Sequence, residues 1–248
     1  MARRWWRGSI LLGLLVCFSL PASSRDLSAR AILDRHVEAI GGVERVLEKK
    51  AIHYQGRFAI PSLGVEGPFD LYRAGGRMHF EMTIPGFGSL LQGYDGAVGW
   101  ELQPGAPSLL EGGRLEQLAL QAHPRSELRS IDDYPEIESM GEVEFEGETL
   151  LEVRLVSRGG HEHSELYDPN TGLRRASITR RAGADGDQEV VLLFGEYRDF
   201  GGLLIATELV QRGAGQVLER TVEKVEYQAI ADEQFELPPE IVALRAGN

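Results

Sequence analysis

The sequence predicts a mainly β protein of the α+β class. Its antiparallel sheet of about eleven strands curls into a half-open barrel, with helices covering the concave face. Apolar and polar residues alternate along many short segments between residues 51 and 227, as they do in half-buried strands. Short turns rich in glycine, asparagine and aspartate separate these segments, so successive strands are expected to pair as hairpins.

An amphipathic helix precedes the predicted sheet. One face of this helix carries residues with a 3.6-residue period: Ile32, Leu33, His36, Val37 and Ile40. Ser28 can cap its first turn, and Gly41-Gly42 can end it. A short second helix is expected over residues 43–49. A further helical segment, residues 113–122, interrupts the strands near the middle of the chain and is expected to cover the cavity together with the first helix.

The N-terminus has the pattern of a cleavable signal peptide over residues 1–24. Three arginines within the first seven residues precede an apolar stretch, residues 10–20. A membrane-spanning helix needs roughly 20 apolar residues, so this stretch is short for an anchor. Ala22 and Ser24 suit cleavage after Ser24, which leaves a single domain over residues 25–248 in the periplasm or outside the cell. The alternative is a short anchor that stays uncut.

Charge and motifs exclude several classes of function. The formal net charge is −12, which makes nucleic acid an unsuitable partner because its phosphates require Lys and Arg. The sequence contains no Gly-x-Ser-x-Gly elbow, no His-Glu-x-x-His, no phosphate-binding Gly-x-x-x-x-Gly-Lys and no Rossmann fingerprint. We therefore predict a protein that is not an enzyme and needs no cofactor.

The candidate cavity wall consists of apolar residues on neighbouring strands. A methionine-containing row on one strand suits varied apolar ligands because methionine is flexible. The alternative for this row is an ordinary core row covered by the N-terminal helix, and for the tryptophan a buried position in a hairpin. The candidate residues are Phe58, Ile60, Phe69, Leu71, Met78, Phe80, Met82, Ile84 and Trp100.

Two histidines form a weak candidate metal site. His161 and His163 lie two residues apart on a predicted strand, and Glu165 continues the row. Imidazole and carboxylate groups are ligands that zinc accepts. The simpler interpretation is a solvated polar face of the sheet, since every second residue of a strand shares a face.

Motifs in a fixed order resemble the outer-membrane lipoprotein-sorting protein family, the LolA-like group. They are Ala39-Ile40-Gly41-Gly42, Ile84-Pro85-Gly86-Phe87-Gly88, the segment from Gly93 to Trp100, the segment from Tyr167 to Leu173, and Phe235-Glu236-Leu237-Pro238. The resemblance implies an eleven-stranded half-open barrel around a hydrophobic cavity, with helices as a lid. It also implies capture of acyl chains without chemistry.

Three hypotheses follow from the sequence. The first is an exported carrier that binds acyl chains of a lipid or lipoprotein, with envelope membrane proteins as possible partners. The second is a periplasmic sensor or protein-interaction module of the same fold, with its cavity filled by side chains. The third is a metal-dependent hydrolase that uses His161 and His163.

Overall fold

The computed structural model describes residues 28–247, apart from residues 104, 130, 131, 184, 185 and 214 and the side chains of residues 181–183 and 186–188. The signal peptide expected over residues 1–24 lies outside the described residues. Within the described part of the chain, no helix is long and apolar enough to cross a membrane.

Thirteen strands form one antiparallel sheet in the order β6-β5-β4-β3-β2-β1-β13-β12-β11-β10-β9-β8-β7. Among the described residues, β6 and β7 each pair with one neighbour and remain edges, so the curled sheet is half-open. The strands are β1 (Ala51–Ile60), β2 (Val65–Ala74), β3 (Arg77–Ile84), β4 (Gly88–Tyr94), β5 (Gly99–Gln103), β6 (Ala106–Leu110), β7 (Glu136–Phe145), β8 (Glu148–Val156), β9 (Glu162–Tyr167), β10 (Arg174–Gly183), β11 (Gly186–Phe200), β12 (Leu203–Gly213) and β13 (Gln216–Glu226).

The predicted fold class is confirmed, but the predicted count of about eleven strands is too low. Strands β5 and β6 have only five residues each, which is too short to show a clear alternation. Pro107 lies within β6 and weakens the strand pattern further. The structure accommodates this proline because β6 is an edge strand. Proline lacks a backbone N–H, and at an edge this costs no hydrogen bond to a neighbouring strand.

The first and last strands meet at the centre of the sheet. Strand β1 pairs with β2 on one side and with β13 on the other. Strands β1–β6 therefore form one half of the sheet and β7–β13 the other. The β1–β13 register shifts between Gln55 and Gly56, which marks a bulge in the central pair.

In the part of the chain that the structure describes, four α-helices accompany the sheet: α1 (Ala29–Ala39), α2 (Val43–Glu48), α3 (Gly112–Ala122) and α4 (Pro239–Ala246). The predicted N-terminal helix is confirmed, and the Ser28 side chain accepts a bond from the Ala31 N–H as its cap. Its apolar face packs on β7, β8 and the end of β9, in a buried cluster of Ala29, Ile32, Leu33, Tyr134, Leu151, Val153, Leu155 and Tyr167.

Helix α3 covers the other half of the concave face. Leu118 and Ala122 of α3 pack on Met78 of β3 and Leu110 of β6. The predicted mid-chain helix is thus confirmed. The alternative that the methionine row lies under the N-terminal helix is wrong, because α1 packs on β7 and β8, at the opposite edge of the sheet.

The turn between β9 and β10 holds α1 in place. The Asp168 carboxylate accepts bonds from the Asn170 and Thr171 N–H groups, which shapes the turn. Arg35 of α1 donates to the carbonyls of Pro169 at 2.7 Å and Asn170 at 2.8 Å. These bonds fix the position of the helix on the concave face.

Candidate functional site

A cavity of about 280 Å³ lies between the concave face of the sheet, α1, α3 and the segment after α3. Apolar residues from both halves of the sheet line it: Ile52, Phe69, Leu71, Leu192, Phe194, Leu209 and Val222. The volume is close to the lower end of the about 300–1,000 Å³ typical of ligand pockets.

Two of the nine candidate wall residues, Phe69 and Leu71, line this cavity. Most of the others face the same side of the sheet but pack against one another. Phe58 and Met82 form a buried cluster with Phe69 and Val222, and Ile60, Phe80 and Ile84 pack around it. Met78 packs under α3. This apolar core fills the concave face beside the cavity, so the methionine row is core in this structure.

Trp100 lies on the opposite face of the sheet from the cavity. It pairs with Gly93, which in turn pairs with His79 of β3. Directly paired residues project to the same face, and His79 alternates with the concave-side residue Phe80. Trp100 is 1% exposed, and its ring meets that of His79 edge-on at 5.7 Å. The expectation that Trp100 belongs to the cavity wall is therefore wrong.

A buried charged network occupies the cavity on the β9–β10 side. Glu165 of β9 is only 1% exposed and accepts bonds from Arg129 Nε at 3.1 Å and from Arg174 Nη1 at 2.8 Å. The Tyr167 hydroxyl donates to the same carboxylate. Arg129 has a φ of 46°, a left-handed backbone conformation that is uncommon for a residue with a side chain.

The network continues toward α1 through a second carboxylate. Arg174 Nη2 lies 3.0 Å from Glu127 Oε2. His36 Nε2 of α1 lies 3.6 Å from the same oxygen, and His36 Nδ1 lies 3.1 Å from the Gly172 carbonyl oxygen. These contacts therefore connect α1, the segment after α3, and strands β9 and β10.

Electrostatics keep the two carboxylates of the network ionised. Burial alone would raise the pKa of Glu165, but Arg129 and Arg174 lower it well below its ordinary value of 4.5. Burial likewise opposes ionisation of Glu127, yet Arg174 lowers the pKa of Glu127 far below that value. Burial raises the pKa of Tyr167 far above its usual 10, so its hydroxyl stays a hydrogen-bond donor.

The histidine row faces the cavity, and the predicted solvated polar face is wrong. His161, His163 and Glu165 all line the cavity. His163 Nε2 lies 3.8 Å from Glu165, and its ring meets the Tyr134 ring edge-on. The Glu165 carboxylate is already bound by two arginines and a tyrosine. Among the described residues, no group of three or more potential metal ligands is placed to hold an ion.

Two further arginines reach the cavity from its apolar side. Arg73 of β2 lies 5.8 Å from the centroid of the Tyr54 ring, and Arg220 of β13 lies 6.0 Å from that of Phe80. Both residues line the cavity. In contrast to Arg129 and Arg174, neither makes an ion pair with any described residue.

Sequence reasoning missed these charged residues, although a signal for them exists. Arg73 follows Phe69 and Leu71 at two-residue spacing, and Arg220 lies between Leu218 and Val222 at the same spacing. Strand alternation thus assigns each arginine to an otherwise apolar face. A charged residue in an apolar row indicates either a buried ion pair or a ligand site.

Solved structures identify the fold. A DUF1329 family protein from Desulfovibrio piger superposes with a TM-score of 0.57 at 13% identity, covering 84% of this chain and 97% of that one. A LolA superfamily protein from Nitrosomonas europaea superposes with a TM-score of 0.56 at 14% identity, covering 85% of this chain and 98% of that one. The fold is LolA-like.

A third solved structure supports the LolA-like fold. An outer membrane lipoprotein-sorting protein domain from Vibrio parahaemolyticus gives a TM-score of 0.51 at 10% identity, over 82% of this chain and 97% of that one. No protein-family model and no curated protein sequence matches the chain. The predicted resemblance is confirmed for the fold, and identities of 10–14% make this chain a divergent example of it.

Proposed function

We propose that this protein is an exported, non-catalytic carrier that binds an acyl chain of a lipid or lipoprotein in the cavity. The observation that carries the proposal is an apolar-lined cavity enclosed between a curled sheet and two helices. The lipoprotein-sorting protein domain from Vibrio parahaemolyticus shares the fold, which supports lipoprotein acyl chains as one cargo class.

Burial of methylene groups supplies the binding energy. Each buried CH₂ contributes about 0.8 kcal/mol before ordering costs. A cavity of about 280 Å³ has room for about nine groups of water size, at ~30 Å³ each. A short acyl segment therefore fits inside, and a longer chain would extend through the open side of the half-barrel.

The proposal is tested by native mass spectrometry and lipid extraction of protein purified from its own compartment. We expect a co-purifying lipid or acylated protein in the wild type. Leu71→Trp fills part of the cavity and should reduce the amount of bound lipid severalfold. Tyr72→Trp, one residue away on the opposite face, is the matched control and should leave it unchanged.

Two results would contradict the carrier. One is a wild-type protein that never carries lipid and binds no added acyl chain. The other is equal lipid content in the Leu71→Trp and Tyr72→Trp variants. Thermal unfolding of both variants shows whether either substitution has disturbed the fold.

Export is a separate part of the proposal. Cleavage after Ser24 would release a mature chain that begins at Arg25, with no cysteine, since Cys17 lies in the removed segment. N-terminal sequencing of protein from the periplasm or the medium tests this directly. An intact Met1 on membrane-bound protein would show instead that the segment acts as an anchor.

One observation favours the second candidate, a sensor or protein-interaction module of the same fold. The network of Glu165, Arg129 and Arg174 occupies the β9–β10 side of the concave face with the chain's own side chains. A module of this kind binds a partner protein and carries no lipid. A protein that is free of lipid but captures a defined envelope protein would favour it.

A further inference from the structure

The cavity is positively charged although the protein as a whole is acidic. Among the described residues, its ionised wall residues are four arginines and two glutamates: Arg73, Arg129, Arg174, Arg220, Glu127 and Glu165. The wall thus carries two positive charges in excess, in a chain whose formal net charge is −12. Such a contrast concentrates positive potential inside the cavity.

The excess charge belongs to one pair of residues. Arg129 and Arg174 are bound by Glu165 and Glu127, but no ion pair or hydrogen bond to a described residue satisfies Arg73 or Arg220. The Nε atoms of Arg73 and Arg220 are both buried without a hydrogen-bond partner. Burial, together with the nearby charge of Arg73, lowers the pKa of Arg220 to about 10.

The two unsatisfied arginines approach the same part of the cavity. Their strands, β2 and β13, flank β1 on either side. Arg73 is directly opposite Ile52, and Arg220 is directly opposite Phe58, so both project to the concave face from positions six residues apart along β1. Their guanidinium groups approach each other between these positions, because they lie beside the rings of Tyr54 and Phe80, which are both directly opposite Leu71. The rings of Tyr54 and Phe80 beside the two guanidinium groups provide apolar contact for a hydrocarbon chain.

Arg73 and Arg220 are half-buried. A cation that loses part of its water without gaining a partner is unfavourable. If these two positions served only to pack the apolar wall, leucine or methionine would stabilise the fold better than arginine. The guanidinium group matches the planar, bidentate geometry of carboxylate and phosphate. Two such groups beside an apolar wall therefore fit an amphiphile with an anionic end.

We propose that Arg73 and Arg220 form an anion subsite, which binds the carboxylate or phosphate end of the acyl ligand whose chain lies on the apolar wall. This inference rests on the proposed carrier function and specifies its ligand class as anionic amphiphiles. The apolar wall supplies most of the affinity, and the arginines select the charged headgroup.

The test compares ligands with equal chains and different ends. Binding of decanoate, decyl phosphate, decan-1-ol and inorganic phosphate is measured by isothermal titration calorimetry on the mature protein. The variants are Arg73→Met, Arg220→Met, Arg220→Lys and the control Arg57→Met. Arg57 is the neighbour of Phe58 on β1, is about half exposed and points away from the cavity.

We expect the wild type to bind decanoate and decyl phosphate more tightly than decan-1-ol. Arg73→Met and Arg220→Met should each weaken binding of the anionic ligands by about tenfold to a hundredfold, the range of a charge-assisted hydrogen bond. Binding of decan-1-ol should be unchanged in both, and Arg220→Lys should retain part of the preference. Tight binding of inorganic phosphate alone would identify a site for the free anion and overturn the amphiphile assignment.

Two outcomes separate this inference from the carrier proposal. If the wild type binds decanoate and decan-1-ol equally, and neither arginine variant changes this, the carrier proposal stands and the anion subsite is wrong. If no ligand with a ten-carbon chain binds at all, both are wrong. If Arg57→Met weakens decanoate binding as much as Arg73→Met or Arg220→Met does, the subsite is also wrong, because the Arg57 side chain faces outward.

Discussion

Two pairs of arginines line one cavity, and their surroundings differ. Arg129 and Arg174 share buried carboxylates supplied by the chain itself, with nitrogen–oxygen distances near 3 Å. Arg73 and Arg220 lie beside aromatic rings with no carboxylate partner among the described residues. The first pair is part of the structure of the folded protein, whereas the second has binding capacity that the fold leaves unused.

The largest expected difference between the pairs is in stability. Arg174→Met leaves Glu127 without its main charged partner and removes one of the two arginines that bind Glu165. Breaking a buried ion pair from one side destabilises by about 3–5 kcal/mol. Chemical denaturation of the mature protein measures this value. A loss below about 1 kcal/mol would show that the network contributes little to the fold.

The second expected effect is on acid stability. The folded-state pKa of Glu165 lies below its ordinary 4.5, so the stabilisation is complete above the unfolded-state pKa and is lost as pH falls through the folded-state pKa. Arg174→Met removes part of this lowering. The stability gap between wild type and variant should therefore be complete at neutral pH. It should narrow once the pH falls through the folded-state pKa of Glu165 in the variant, below which only the wild type has stabilisation left to lose. A gap that stays constant between neutral and acidic pH would contradict the assignment.

A smaller change is expected at the unpaired arginines. Arg220→Met removes a half-buried cation, and no carboxylate among the described residues loses a partner. The free energy of unfolding of the ligand-free protein should therefore stay the same or rise by about 1 kcal/mol. Thermal and chemical unfolding check this. A loss comparable to that of Arg174→Met would show that Arg220 has a structural role and would remove the distinction between the two pairs.

The smallest effect is expected at a surface ion pair, which calibrates the others. Arg57 lies 3.4 Å from Glu66, and both side chains are more than half exposed. Exposed pairs contribute about 0–1 kcal/mol, so Arg57→Met should change the free energy of unfolding by less than about 1 kcal/mol. Raising the salt concentration should make this small difference smaller still. If Arg57→Met lowers the free energy of unfolding as much as Arg174→Met does, burial does not explain the difference in stability between the surface ion pair and the buried network.

The helices and hairpins were predictable because their signals are local. The stripe from Ile32 to Ile40, the Ser28 cap and the alternation in β3 each lie within a few residues of sequence. Alternation assigns Trp100 and Phe80 to strand faces, but it does not say which face becomes concave. That depends on how the whole sheet curls, which no short segment specifies.

The charged network was not predictable for the same reason. His161, His163 and Glu165 form a polar row, and a polar row usually faces water. Glu165 faces inward because Arg129 lies 36 residues earlier in the chain, and the fold brings the two together. Arg174 contributes from the next strand. Pairing of this kind is a property of the assembled sheet.

The meeting of the first and last strands at the centre of the sheet has a consequence for folding kinetics. His53 of β1 pairs with Glu226 of β13, so the middle of the sheet cannot form until almost the whole chain has been synthesised. Pairing across such a sequence separation makes folding slow, because a large loop must close before the contact stabilises anything. A slowly folding chain stays extended for longer after synthesis. The cavity, which is lined by residues of both β1 and β13, exists only after this late pairing.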